Sequence, residues 1–369
     1  MPRSFHGGRR LKIALITDTH FGARNDNLNF NEYFYKFYEE QFFPYLRENN
    51  ITNVIHLGDV MDRRKYISYR IAKDFRERFL DKFDDIQFHM LVGNHDTYYK
   101  NTNDVNSLAE LVDGKYDNIK VYPKATEVTF DGCKILFVPW INSDNMSHTT
   151  KMLKTSDAQI CMGHLELNGF AMQKGMIMDH GWDKEEFNRF DMVMSGHYHH
   201  KSDDGQIFYL GTPYEIYWND WNDPKGFHVF DTEKRELERI VNPHKIFSKI
   251  YYDDATNDYS HMVGPASTAH DFEKYKDKYV KLVVVNKKDL YQFDKFVDRL
   301  LTADCHEVKI VEDFSDLDAS NVSDDIVENT QDTMTLLELY IDDLTVDLSK
   351  DRLKNTMRTL YTEAQDLEI

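Results

Sequence analysis

Cysteine is almost missing from this chain. Its 369 residues hold three, Cys133, Cys161 and Cys305, far apart and with no CxxC pair. That excludes a disulfide-built fold and a thiolate zinc site, and fits buried thiols in a reducing compartment. Long apolar runs are missing too. None approaches the roughly 18 residues of a membrane span, so no membrane partner is expected. The first ten residues, MPRSFHGGRR, are basic but lead into no apolar stretch, so they read as an extension and not as a secretory leader. Positive charge is in deficit: 45 Lys and Arg stand against 64 Asp and Glu, a formal charge of −19. The deficit is local, however. Residues 311–369 carry 16 acidic and 4 basic side chains, a net of −12, which leaves −7 on residues 1–310. A mildly acidic body does not exclude a polyanionic substrate if some of its carboxylates hold metal.

What the chain does have is apolar and aromatic side chains, 41% hydrophobic with 24 Phe and 22 Tyr. That suffices for one large core and one or two smaller modules. LKIALIT (11–17), TNVIHL (52–57) and QFHMLV (87–92) read as buried strands. They alternate with helical stripes over 29–48 and 67–83, a rhythm that predicts a largely parallel sheet with helices outside. Hairpin character follows. TEVTFDGCKILFVPW (126–140) turns about Asp-Gly, and 158–164, 191–197, 206–211 and 226–231 are further short strands. The expected class is α/β, a sandwich of two sheets flanked by helices. From about 245 a small α+β module begins. Residues 312–330 are acidic, rich in Ser and Asn and without Lys or Arg, and read as a flexible linker. Two helical patterns close the chain, and in the second Leu353, Met357, Leu360 and Tyr361 share a face.

The chemistry sits at the strand ends. Each apolar run, often followed by glycine, stops at a cluster of ligand types: Asp18-Thr19-His20, Gly58-Asp59 with Asp62, Gly93-Asn94-His95-Asp96, Gly163-His164, and Gly196-His197-Tyr198-His199. In open α/β sheets the carboxyl ends of strands form the ligand crevice, so five such ends would converge. Residues i and i+2 of an extended chain point the same way, so Asp18/His20 and His197/His199 are each expected to aim both side chains inward. Two Asp, one Asn and four His give oxygen and nitrogen ligation, suited to Mn, Fe or Zn and poorly to Ca. Seven ligands exceed one transition ion and fit two that share a carboxylate. Two divalent ions and two carboxylates leave a net charge of about +2, which attracts an anion, and paired ions about 3.5–4 Å apart suit phosphoryl displacement. His200 is expected to face solvent, His56 to pack in the core, Cys161 to be a buried thiol and the aromatics of 29–48 to be core. His180 has no assigned role.

DxH, GDxxD, GNHD, GH and GHxH, in this order, resemble the calcineurin-like metallophosphoesterase superfamily. FDGCKILFVPW, MGHLELNGF, SGHYHH, LGTPYEIYWNDWNDPKGFHVFD and the C-terminal helical pair narrow the resemblance to SbcD-like double-strand-break repair nucleases, tailed-phage members included. The resemblance implies Asp18, His20 and His199 on one ion, Asn94, His164 and His197 on the second, and Asp59 between them. It implies His95 beside the leaving oxygen, with Asp62 and Asp96 orienting the ligands. It further implies a nuclease domain over 11–244, a capping domain over 245–311, and a helical motif over 331–369 that grips an SMC-like ATPase of the SbcC type. The implied activities are 3′–5′ exonuclease on duplex DNA and endonuclease on single strands. They use two divalent ions, Mn by that resemblance, in a homodimer that forms a two-plus-two complex. The implied setting is the cytoplasm of an infected bacterium. Arg63, Arg64, Lys65 and Lys100 are the basic groups beside the ligand loops and the candidates to meet DNA.

Two rival classes share these residues. GDVMDR also resembles the phosphatase motif, which leaves a phosphoprotein phosphatase or small-molecule phosphodiesterase on the same scaffold. GNHD in place of GNHE, and the added module and tail, speak against it. A scaffold without metal would work by binding alone, but no ligand position is missing from the motifs.

Overall fold

The computed structural model describes residues 11–312 except 113, 174–175, 178–180 and 264–269, together with 341, 349–350, 353–354 and 357. The expected extension at 1–10, the linker beyond Glu312, His180, Leu360, Tyr361 and most of the tail helices lie outside the described residues. Leu353 and Met357 are helical and half-buried.

Two six-stranded sheets carry the body. The first runs, edge to edge, Glu236–Val241, Gly226–Asp231, Lys12–Ile16, Asn53–His56, Gln87–Leu91 and Ile119–Tyr122. Its four strands from Lys12–Ile16 onward are parallel, as a strand–helix–strand rhythm requires, and the last two chain segments add antiparallel. The second sheet runs Ser202–Asp203, Ile207–Tyr209, Met192–Gly196, Ile160–His164, Cys133–Val138 and Thr126–Phe130. Its Asp131-Gly132 hairpin holds both turn residues at positive φ, 48° and 85°. That is the turn in which Asp-Gly matches the twist of its strands.

Period-two alternation assigns each face. Ile13, Leu15, Ile55, Leu57 and Leu91 face Ile135, Phe137, Ile160, Met162 and Met194 in the layer between the sheets. Ala14, Ile16, Val54 and Met90 turn the other way onto the helices, against Phe30, Phe34, Phe37, Phe75 and Phe79. Leu136, Val138, Cys161 and Val193 cover the outer face of the second sheet with Leu153, Phe187 and Phe190. The aromatics of the first helical stripe are therefore core. That stripe is one continuous rod by sequence. In the structure it is Leu28–Phe37, a π-type segment at Tyr38–Phe42 and Phe43–Glu48. Asn27 caps its start by accepting from the N–H groups of Asn29 and Phe30.

Beyond the sandwich lies a third sheet of three parallel strands, Phe247–Asp253, Tyr279–Asn286 and Glu307–Val311, with the helix Leu290–Leu301 packed on it. It has a core of its own, built from Tyr252, Leu282, Phe293, Phe296 and Leu300.

Candidate metal centre

The loops after Ile16, His56, Leu91, His164 and Gly196 meet at one end of the two central sheets. Asp18, His20, Asp59, Asn94 and His164 are buried, and His95, His197 and His199 are partly so. Three groups of ligand types each bring one donor atom per residue within 4.8 Å of the others: Asp18–His20–His199, His20–Asp59–His95 and Asp59–His164–His197. Nε2 of His20 and Nε2 of His199 are 3.0 Å apart. On the other side Asn94 Oδ1 lies 2.8 Å from His164 Nε2 and 3.1 Å from His197 Nδ1. Asp59 Oδ2 stands between the two sets, 3.9 Å from His20 Nε2 and 3.3 Å from His164 Nε2.

The convergence does not come from strand alternation. Both strands end before the paired residues. Asp18, His20, Asp59 and His197 all sit in the left-handed region, with φ of 51°, 43°, 56° and 86°. Non-glycine residues adopt that region at a cost, and such strain collects where surrounding structure holds a functional side chain in place. The surroundings are visible here. Asp18 N–H bonds to Gly58 O and His20 N–H to Asp59 O, while both Asp18 carboxylate oxygens accept from His197 N–H. Gly196 is required by the closeness of this packing: a Cβ there would come within 2.0 Å of Thr17 Oγ1 and 2.8 Å of Asp18 Oδ2.

The orienting groups are equally specific. Asp96 accepts from four backbone N–H groups, those of Gly93, Asp59, Val60 and Met61, at 2.8–2.9 Å, and so welds the GNHD and GDVMD loops. Asp62 acts through its carbonyl, which accepts from His95 Nδ1 at 2.5 Å, and its carboxylate lies 3.5 Å from His20 Nδ1. His164 Nδ1 donates to Leu57 O at 2.8 Å, which turns Nε2 toward Asn94 and Asp59.

The protonation landscape follows from crowding. Burial opposes a charged His20 ring, but Asp62, Asp59 and Asp18 outweigh it and raise its pKa to about 9. His164 rises to about 9 in the same way, with Asp59 opposing its burial. Burial lowers His95 to about 4 and His199 well below the usual imidazole range, helped by the neighbouring His20. Burial would raise Asp59, yet His164, His95 and His20 hold it as a carboxylate. Two buried carboxylates, an amide oxygen and converging imidazoles form a donor set that fits a pair of divalent ions.

The chain's comparisons agree with this chemistry. Residues 11–201 match the family model described as calcineurin-like phosphoesterase. The chain is 34% identical over 364 residues to "Exonuclease subunit 1" of Enterobacteria phage T4, covering 96% of this chain and 99% of that one. The chain belongs to the calcineurin-like phosphoesterase family. It is a hydrolase of phosphoester bonds. Among solved structures, GAP50, the anchor in the inner membrane complex of Plasmodium, matches at 14% identity and a TM-score of 0.39, over 64% of this chain and 90% of that one. A dimetal phosphatase from Danio rerio matches at 12% and 0.38, over 60% and 92%.

The remaining residues singled out by sequence divide. His56 is buried and pairs with Thr19 Oγ1, and burial lowers its pKa to about 3. His200 does not simply face solvent: it is half-buried, with Nδ1 2.9 Å from Asp223 Oδ2. Arg63 pairs with Asp26 and lies over the Tyr66 ring. Arg64 is half-buried, and its Nη1 is buried without a hydrogen-bond partner among the described residues. Lys65 and Lys100 are exposed. Sequence reasoning misses two neighbours of the centre. Trp140 lies against the His197 and His164 rings, and Glu166 Oε1 is 3.8 Å from His197 Nε2. Trp140 closes the FVPW strand, so the strand-end rule extended to that strand finds it.

Proposed function

We propose that this phosphoesterase is a metal-dependent DNA nuclease, a 3′–5′ exonuclease on duplex DNA and an endonuclease on single strands. The observation that carries the reading is the 34% identity, along nearly the whole of both chains, to a phage protein named as an exonuclease subunit. Asp18, His20 and His199 would hold one divalent ion, Asn94, His164 and His197 the other, and Asp59 both. Mn suits these nitrogen and oxygen donors. Bound there, the two ions supply a water acidic enough to attack at neutral pH and a positive clamp for the phosphodiester oxygens.

The chain's own groups do the rest. His95 is fixed by donating Nδ1–H to Asp62 O, so its Nε2 faces the centre, 4.0 Å from Asp59 Oδ2. There it would stabilise the leaving oxygen or protonate it as the ester breaks. Asp96 and Asp62 keep the loops in register. Arg64, Lys65 and Lys100 would take backbone phosphates, whereas Arg63 must first leave Asp26.

The word subunit in the relative's name supports a partner. Our reading is an SMC-like ATPase gripped by residues 331–369, reached through the linker 312–330, in a two-plus-two complex built on a nuclease homodimer. The domain at 11–244 would cut, the module at 245–311 would cap the approach of DNA, and residues 1–10 would add basic charge. Action in the cytoplasm of an infected bacterium belongs to the same reading. Among the described residues no helix is long and apolar enough to cross a membrane.

The test is digestion of duplex DNA with Mn by wild type and Asp59→Asn, with and without the ATPase. We expect the variant to lose at least a hundredfold of the activity. Equal cutting by both would refute the site, and hydrolysis of an aryl phosphodiester without DNA cutting would move the protein to the small-phosphoester class.

A further inference from the structure

Lys225 is the least exposed kind of lysine, with 1% of its side chain accessible, and it lies outside every ligand motif. Its Nζ contacts Asp220 Oδ1 at 2.6 Å and Asp223 Oδ2 at 2.9 Å. Its third contact is different in kind: Nζ donates to the backbone carbonyl of His199 at 2.9 Å. An ammonium has three N–H donors, and all three are used. Removing a lysine from water in this way is costly and is offset only when its partners are complete. A buried hydrophobic side chain would fill the space without that cost, so the charge serves geometry.

The surrounding contacts show which geometry. The same His199 carbonyl accepts from Thr212 N–H at 3.1 Å. Asp223 also takes His200, the next residue along, at 2.9 Å from Nδ1. The second oxygen of Asp220 accepts from Ile216 and Tyr217 N–H at 2.8 and 2.9 Å. That fixes the backbone of Tyr217, whose ring lies nearly parallel to the His199 imidazole, with centroids 6.0 Å apart at 12°. The segment WNDWNDPK (218–225) therefore holds His199 by its carbonyl and by its neighbour. On its far side the same segment is braced by the third sheet: Trp218 packs on Phe247 with centroids 4.5 Å apart, and Lys281 Nζ lies 4.3 Å from the Trp218 ring centre.

We propose that Lys225, bound between Asp220 and Asp223, is a positioning residue that sets the backbone of His199 and thereby its imidazole in the metal centre. The inference rests on the ligand reading of His199 given above. Lys225 touches neither substrate nor ion. It acts by removing the freedom of the 197–200 loop, so its loss should weaken one metal site and spare the other.

The experiment is calorimetric titration of Mn into the full chain, with kcat and KM on DNA measured beside it. The variants are His199→Ala as reference, Lys225→Met, and the triple variant Asp220→Asn, Asp223→Asn, Lys225→Met. The triple variant leaves no unpaired buried charge. Its amide at position 220 retains an oxygen for the Ile216 and Tyr217 N–H groups, so it folds where the single variant fails to. We expect His199→Ala to abolish one of two Mn sites. A folded Lys225 variant should bind that ion at least tenfold more weakly, keep the other unchanged, and lower kcat with KM within about twofold. Lys225→Arg, which restores charge and donors, should recover part of the affinity. Weakening in His199→Ala with two intact sites in the folded Lys225 variants would overturn this inference alone. Intact Mn binding in His199→Ala would overturn the ligand reading and this inference with it.

Discussion

At the scale of single residues, the centre is held by close approach as much as by ligand chemistry. Gly196 makes the point. Adding one methyl group there forces Thr17 Oγ1 and Asp18 Oδ2 to move, and Asp18 is tied through both oxygens to His197 N–H. Gly196→Ala should cost about 1–3 kcal/mol by overpacking, measured by urea unfolding. It should lower Mn affinity tenfold or more in a calorimetric titration, because displaced ligands bind poorly. A variant that lost stability but kept its Mn affinity would show that Asp18 tolerates the shift. The sequence made the ligand types and their order legible, since DTH, GDVMD, GNHD and GHYH each follow a strand. It did not reveal how they converge. Period-two alternation offered a reason for Asp18/His20 and His197/His199, but these residues lie past the strands and Asp18, His20 and His197 sit at positive φ, a conformation in which Asp and His are enriched but which sequence does not assign to particular positions. Lys225 was illegible for a related reason: its partners are set by tertiary contact, and a lysine beside two aspartates reads as a solvated turn.

At the scale of elements, hydrophobic period carried the reading furthest where faces are sharply divided. The strands at 11–17, 52–57 and 87–92 and the Asp-Gly hairpin fall within a residue or two of expectation. The two long helical stripes each contain a π-type segment, Tyr38–Phe42 and Phe75–Phe79, whose end residues Tyr38, Phe42, Phe75 and Phe79 are all buried in the core. That choice depends on what the helix packs against, so the local pattern cannot encode it. The third sheet gives the test at this scale. Phe296 packs against Tyr252, Tyr259 and Phe272 within a cluster separate from the sandwich cores. Phe296→Ala should destabilise that module by about 3–5 kcal/mol. The loss should appear as faster hydrogen exchange across 247–311. Parallel acceleration of the strand at Met192–Gly196 would mean that module and metal centre unfold as one unit.

For the whole molecule, the proposed activity asks how a chain of net charge −19 would meet a polyanion. Most of the excess lies in residues 311–369. Charges separated by more than a Debye length, about 8–10 Å in physiological salt, are largely screened, so net charge alone does not set binding. The local field at the centre therefore decides. Asp18 and Asp59 would hold the ions, the Asp62 carboxylate lies 3.5 Å from His20 Nδ1 and that of Glu166 3.8 Å from His197 Nε2, and a pair of divalent ions would offset these charges. Arg64, Lys65 and Lys100 follow the ligand loops in sequence and, on the proposed reading, would meet the DNA backbone, while Arg63 is neutralised by Asp26. Binding should then depend on a few phosphate contacts, each contributing about −0.9 to the slope of log K against log salt. Measured with Mn present on a cleavage-resistant phosphorothioate duplex hairpin, Lys65→Ala and Lys100→Ala should each make the slope shallower by about that amount. Neither should change sequence preference, because backbone contacts carry none. Arg63→Ala should leave the slope unchanged if its pairing with Asp26 persists in the complex. A slope near zero for wild type would remove DNA backbone from the reading and leave the centre to a small or protein-borne phosphoester.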